Sequence, residues 1–166
     1  MVFSALILKI QVRIDLISDV ARQSIKLLEI IHKMQRQFLS VIECKVPVLM
    51  GIHNVCVGGG IDLICMADIR YCTQDSKYSI KEVDIGMAAD LGTLQIFPNI
   101  IGNESTFREL SYTGRWMDAK EAKDIGLVSK VFETREKMED GLLETAKLIA
   151  AKSPVAINTL KHIFRR

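Results

Sequence analysis

Three acids and a run of glycines carry the residue types from which proton-transfer chemistry is built. Gly58-Gly59-Gly60 leads directly into Ile61-Asp62, Glu82 stands in "SIKEV", and Asp90 follows eight residues after Glu82 inside "GMAADLG". The small apolar neighbours of Asp90 imply close packing, and an ionised carboxylate buried without a partner is costly. Asp90 therefore either caps a helix or is a carboxyl held at a raised pKa. Glu82 is either a pocket acid or a solvated partner of Lys81 or Lys77. Asp62 either caps and charges the first turn of a helix or points into the same pocket.

The glycines have two readings as well. A strand, three glycines and a helix place bare backbone N–H groups at a helix N-terminus, which suits an anion or a developing oxyanion. The same run also serves as a tight turn for close packing. It is not a dinucleotide fingerprint, because the GxGxxG spacing is absent, and no Walker lysine follows.

The elements that must position these residues follow from periodicity. From Asp19 to about Cys44 the apolar residues Leu27, Leu28, Ile31, Met34, Phe38, Val41 and Ile42 recur at helical spacing, which predicts a long amphipathic helix ended by Pro47. "VPVLMGI" reads as a buried strand. "IRYCTQ" and "KYSI" read as two short strands separated by a turn at Gln74-Asp75-Ser76. Leu91 to Phe97 is helical up to Pro98. Asn103 and Gly114 bound a further helix, as Asp118 and Gly126 bound a short one. "VSKVF" is a strand, and helices follow at 135–151 and from Pro154 to the end. Strands alternating with helices predict an α/β domain.

Composition narrows the function classes. At 166 residues the chain is one domain with room for a real core. A net charge of +2 argues against nucleic acid or an anionic membrane surface as partner. Cys44, Cys56, Cys65 and Cys72 show no CxxC pair and no histidine at metal-ligand spacing, so reduced, mostly buried thiols are expected, with no metal site. The N-terminal "MVFSALILKIQVRID" is too short an apolar run to span a bilayer. It reads as a strand, as an unmatched start to the domain, or as an organelle presequence. Asp84, Asp68 and Arg70 are expected to be structural, and His32, His53 and His162 to be surface or satisfied core histidines.

The segment "PVLMGIHNVCVGGGIDLICMADIRYCTQDSKYSIKEVDIGMAADLGTLQIFPNIIG" resembles the enoyl-CoA hydratase/isomerase (crotonase) superfamily, and most closely its Δ3,5-Δ2,4-dienoyl-CoA isomerases. "RELSYTGRWMDAKEAKDIGLVSKVF" and "AAKSPVAINTLK" resemble further family segments in the same order. The resemblance implies an α/β crotonase-like spiral of β-β-α units, incomplete, with C-terminal helices. It occupies 16–166 and leaves 1–15 unmatched. It implies Gly59 as one N–H donor of an oxyanion hole that polarises a thioester carbonyl. It also implies Asp62, Glu82 and Asp90 as the pocket acids. Asp90 would act near C2 and Glu82 near C6, while Asp62 tunes charge and hydrogen bonding. Simple hydratases carry Glu at the first two positions and glycine at the third, which makes Asp90 the discriminating residue.

On that resemblance the substrate is an acyl-CoA, no cofactor or metal is needed, and nucleic acid and membrane are not partners. A homo-oligomer (trimer or hexamer) and a mitochondrial or peroxisomal setting in unsaturated fatty-acid β-oxidation are implied. Nothing before Asp15 resembles the family's "AGxD" loop, which supplies the second oxyanion donor and much of the grip on CoA. The chain thus reads as an isomerase truncated at both ends. An enoyl-CoA hydratase and a non-catalytic paralogue acting as a subunit or binding module are the alternatives.

Overall fold

The computed structural model describes residues 19–164, and the N-terminal segment with its three readings lies outside them. The chain opens with α1 (Val20–Glu43), capped by Asp19, whose side chain accepts from the Ala21 amide at 2.9 Å. Met34, Phe38, Val41 and Ile42 form its packed stripe and meet Met66 and Leu91 in a satellite cluster.

Two strand–strand–helix units follow. The first is β1 (Leu49–Ile52), β2 (Val55–Val57) and α2 (Gly59–Cys65). The second is β3 (Ile69–Thr73), β4 (Lys77–Ser79), a 3₁₀ turn (Glu82–Ile85), α3 (Thr93–Ile101) and α4 (Glu104–Thr113). The chain ends with β5 (Met117–Asp118), α5 (Ala119–Asp124), β6 (Lys130–Phe132), α6 (Arg135–Ala150) and α7 (Pro154–Phe164).

Each unit sends its two strands into different sheets. One sheet has the order β1-β3-β6 and is wholly parallel; the other has the order β2-β4-β5, with β2 and β4 parallel and β5 antiparallel to β4. The switch after β1 is made at Asn54, whose φ of 62° is a left-handed conformation that Asn tolerates. Its carbonyl accepts from the Lys77 amide at 2.8 Å and so keys the first unit to the second. This is the β-β-α spiral that the family resemblance implies. The strands read from "IRYCTQ" and "KYSI" are present with the turn between them, but they pair with β1 and β2 rather than with each other.

Both ends of one helix differ from expectation: α3 starts at Thr93 rather than Leu91, after the Gly92 N-cap. Helix α3 runs through Pro98 to Ile101 instead of stopping before the proline. Pro98 removes one intrahelical donor, but Phe97 is fully buried, and Ile96, Ile100 and Ile101 pack on the main core, so tertiary contacts carry the helix across it. That core lies around Ile61, Cys72, Tyr78, Phe97 and Leu127. Cys56, Cys65 and Cys72 are buried and none of the four cysteines is in a disulfide, as expected.

The last helix is fastened to the first sheet by a buried cation. Lys161 is 4% exposed and donates to the Val46 carbonyl at 2.8 Å and to Asp68 Oδ2 at 2.7 Å. The same Asp68 oxygen accepts from the Val48 amide at 2.6 Å, so one carboxylate orders the entry to β1 and holds α7. Lys161→Met leaves the stem volume in place and removes the charged donor. It should cost about 1–3 kcal/mol in equilibrium urea unfolding, and an unchanged midpoint would show that this fastening contributes nothing.

Candidate active site

The register of β2 on β4 builds the first part of the site. Val57 pairs with Ser79, and one residue later the Gly58 amide donates to the Ser79 carbonyl at 3.1 Å. Gly58 then takes φ +57° and ψ −125°, a conformation glycine reaches without a Cβ penalty, and turns the chain into α2. A Cβ at this position would lie 3.0 Å from Glu82 Oε1, so the bare backbone also lets that carboxyl settle on the turn. Gly60 serves packing: a Cβ there would sit 3.2 Å from Cys56 Sγ. The tight-turn, close-packing reading of the glycine run is therefore realised. The amides of Gly59 and Gly60 lead α2 and have no carbonyl four residues back within the helix.

Asp62 lies in the first turn of α2 but is spent on another helix. It is 1% exposed, and its Oδ1 accepts from both the backbone amide and the hydroxyl of Thr93, each at 2.7 Å. The residue preceding Thr93 is Gly92, which has no side chain to cap α3, so Asp62 caps that helix from across the core. Burial pushes the Asp62 carboxyl up, the two Thr93 donors pull it back, and the charge of Asp90 raises it further.

Glu82 opens the 3₁₀ turn and folds back over Gly58. Its Oε2 is buried with no hydrogen-bond partner. Desolvation is the main cause of its raised pKa, and the charges of Asp62 and Asp90 add to it. The solvated ion-pair reading is overturned, because Lys81 pairs with Asp84 at 2.8 Å and lies over the Trp116 ring.

Asp90 is half-buried between Ala89 and Leu91, which are both buried. Its side chain does not cap α3, whose N-cap is Gly92 without any side-chain bond, so the helix-cap reading of Asp90 is overturned. Burial raises its carboxyl, and a backbone hydrogen bond of its own draws it part of the way back. Its carbonyl accepts from Gln35 Nε2 of α1 at 2.6 Å.

The three acids are thus within electrostatic reach of one another: Asp62 feels Asp90, and Glu82 feels both. Such groups titrate as a set, with the first charge making the next more expensive. Among the described residues no group of His, Cys, Asp and Glu is arranged to hold a metal ion. A cavity of about 10 Å³ beside Tyr78 and a surface groove of about 550 Å³ between Val55, Lys77 and Trp116 are not lined by any of the three acids. Glu82 and Asp90 flank a largely exposed segment, residues 83–88, instead.

The remaining sequence expectations sort cleanly. His32, His53 and His162 are exposed. Asp68 holds Lys161, and Arg70 donates to the Leu127 and Ala67 carbonyls, so both are structural. Sequence reasoning missed Thr93 and Gln35. Gln35 left a signal, a polar residue on the packed stripe of Met34, Phe38 and Ile42. Thr93 left none, because its partner is thirty-one residues away.

The comparisons with known proteins bear on the family and the fold. The family profile described as enoyl-CoA hydratase/isomerase matches residues 15–166. The chain is 49% identical over 143 residues to the mitochondrial Delta(3,5)-Delta(2,4)-dienoyl-CoA isomerase of Homo sapiens, covering 86% of this chain and 44% of that protein. It is 44% identical over 149 residues to the peroxisomal enzyme of the same name from Arabidopsis thaliana, covering 90% and 53%. The chain therefore spans about half the length of these relatives. Among solved structures, an enoyl-CoA hydratase from Bacillus anthracis superposes with a TM-score of 0.79 at 27% identity, over 85% of this chain and 54% of the other. An enoyl-CoA hydratase/isomerase from Cupriavidus metallidurans gives a TM-score of 0.80 at 27% identity, over 90% and 54%. The spiral of β-β-α units is the crotonase fold, and the chain belongs to the enoyl-CoA hydratase/isomerase family.

Proposed function

We propose that this chain acts on acyl-CoA thioesters as a double-bond isomerase, converting a 3,5-dienoyl-CoA to the conjugated 2,4-isomer. The observation that carries the reading is Asp90, a third carboxyl coupled to Asp62 and Glu82 and placed by a loop rather than used as a cap. The names of the relatives from Homo sapiens and Arabidopsis thaliana support it.

The reaction moves one proton out and one in. Asp90 removes a proton from C2, and the electron pair spreads through the diene and onto the thioester oxygen as a dienolate. The Gly59 amide, leading α2, donates to that oxygen. Glu82, pushed toward its protonated form by burial and by its charged neighbours, delivers a proton to C6. The double bonds then lie at C2 and C4, with no net change in protons or electrons. No redox step occurs, so proton carriers and hydrogen-bond donors suffice. Asp62, committed to Thr93, shapes the pocket's charge without exchanging a proton. The reading extends to a mitochondrial or peroxisomal setting, and to a homo-oligomer for which the exposed Val155, Ile163 and Phe164 of α7 offer apolar surface.

Conversion of a 3,5-dienoyl-CoA followed by ultraviolet absorbance tests the reading. The parent should turn over, and Asp90→Asn should lower kcat by about 10²–10⁴-fold. Absence of turnover from cooperatively folded parent would overturn it, and hydration of a 2-enoyl-CoA at comparable rate would reassign the site to a hydratase.

The raised carboxyls also fix a sign for stability. A group whose pKa is higher in the folded than in the unfolded chain binds protons on folding, so stability falls as pH rises between those two values. Parent and Glu82→Gln should therefore approach equal urea midpoints below the ordinary Glu range, near pH 4, and the variant should gain on the parent as pH rises toward neutrality. A difference that stays constant with pH would show that Glu82 is not held at a raised pKa.

A further inference from the structure

The catalytic carboxyl of this reading sits on an otherwise weakly held piece of backbone. Residues 87–90 belong to no helix or strand, so no ladder or helical bond fixes the Asp90 main chain. Its fixed points come from elsewhere. Downstream, Leu91 is buried in the satellite cluster with Phe38 and Met66, and Thr93 is tied to Asp62. Gly92 lies so close to Met66 that a Cβ would fall 2.3 Å from its Cε, at a φ of +134°. At Asp90 itself the hold is the Gln35 side chain, which reaches from α1 across fifty-five residues of sequence.

We propose that Gln35 is a positioning residue for the isomerase reaction: its side-chain amide grips the Asp90 carbonyl from α1 and so sets where the Asp90 carboxyl stands in the acid cluster. The proposal rests on the reading of Asp90 as the proton-transfer group. The geometry fixes the orientation of the amide, because a carbonyl oxygen accepts only from Nε2 and would repel Oε1. The helix that delivers it is itself anchored, with Phe38 buried one turn further on and Met34, Val41 and Ile42 packed beside it. A half-buried glutamine on this apolar stripe costs desolvation that a leucine would not. The bond to Asp90 offsets that cost, and no donor of the loop's own backbone replaces it. The acids that face Asp90 are Asp62 from α2 and Glu82 from the 3₁₀ turn, and the charge of Asp90 raises the carboxyl pKa of each.

Two substitutions in the full chain separate positioning from packing. Gln35→Met keeps the length and apolar contact of the side chain and deletes the donor. Gln35→Glu donates only while protonated. Cooperative urea unfolding establishes that each variant is folded, and two readouts follow: kcat and KM on the 3,5-dienoyl-CoA, and the titration of the Asp90 carboxyl by carbon-13 NMR. Gln35→Met is expected to lower kcat roughly 10- to 100-fold with KM little changed, and to move the Asp90 midpoint down toward that of an ordinary aspartate as the carboxyl gains water. For Gln35→Glu, the ratio of variant to parent kcat should rise as pH falls. Parent-like kcat and an unmoved Asp90 titration in Gln35→Met would overturn the proposal. So would a fall in kcat that Gln35→Glu shares at every pH while the titration stays put, since that pattern belongs to helix packing. If the parent itself turns over no dienoyl-CoA, the isomerase reading has failed, and the NMR titration still decides Gln35: a displaced midpoint supports its grip on Asp90, and an unmoved one refutes it.

Discussion

The two hydrogen bonds from Thr93 to Asp62 are the constraint on which the site's geometry depends. They join α2, which carries the glycine turn, to α3, which follows the Asp90 loop, through a single carboxylate oxygen that water hardly reaches. An acid buried this deeply is tolerated because a backbone amide at a helix start and a hydroxyl both donate to it. In return, α3 gains the cap that Gly92 cannot supply. Glycine is required at 92 by the left-handed φ and by Met66, so the cap has to come from another part of the chain. Asp62 is the residue that satisfies both conditions.

With Asp62 committed in this way, the division of labour among the acids follows from how each is solvated. Asp62 is the most deeply buried of the three, and the two Thr93 donors pull back part of the rise that burial imposes on its carboxyl. Glu82 has an oxygen with no partner at all, together with two acidic neighbours, and is driven toward its neutral form. Asp90 is half-buried and free of any capping duty, and burial raises its carboxyl as well. Three carboxyls of one chemical type are thereby given three different environments, and each is raised from its ordinary range chiefly by burial. The arrangement opposes stability, because the unfolded chain would solvate all three.

Much of this was legible in the sequence, and the limits are physical. The long periodic stripe of α1, the caps at Asn103 and Asp118 and the glycine stops at 114 and 126 appear where side-chain chemistry places them, because each is a local rule. The three acids and the glycine turn were visible as candidates, but their rival readings could be separated only in space. Asp90 looked equally like a cap until Gly92 took that position, and Glu82 looked like a surface partner of Lys81 until Lys81 turned to Asp84. Helix α3 outran its proline because four apolar contacts outweigh one lost hydrogen bond, a comparison that needs the core. Gln35 and Thr93 act at sequence separations of 55 and 31, beyond the reach of any local pattern.

The location of the site has a cause in strand pairing rather than in any one residue. Because β2 and β4 run parallel, the segments leaving their C-terminal ends emerge side by side, and this is where parallel sheets present backbone and loops to a ligand. The register that sets Val57 beside Ser79 puts Gly58 one step past the ladder, and Glu82 three residues beyond Ser79 has just enough chain to fold back onto it. A slip of one residue would exchange the faces of every side chain on β4 and carry buried Tyr78 toward solvent, so the core enforces the register. The contact between the turn's backbone and the acid above it thus depends on the burial of Tyr78, one residue before Ser79 on the same strand. Every residue from Gly58 to Thr93 that builds the cluster is positioned by β2, β4, α2 and α3, with α1 holding the loop that carries Asp90.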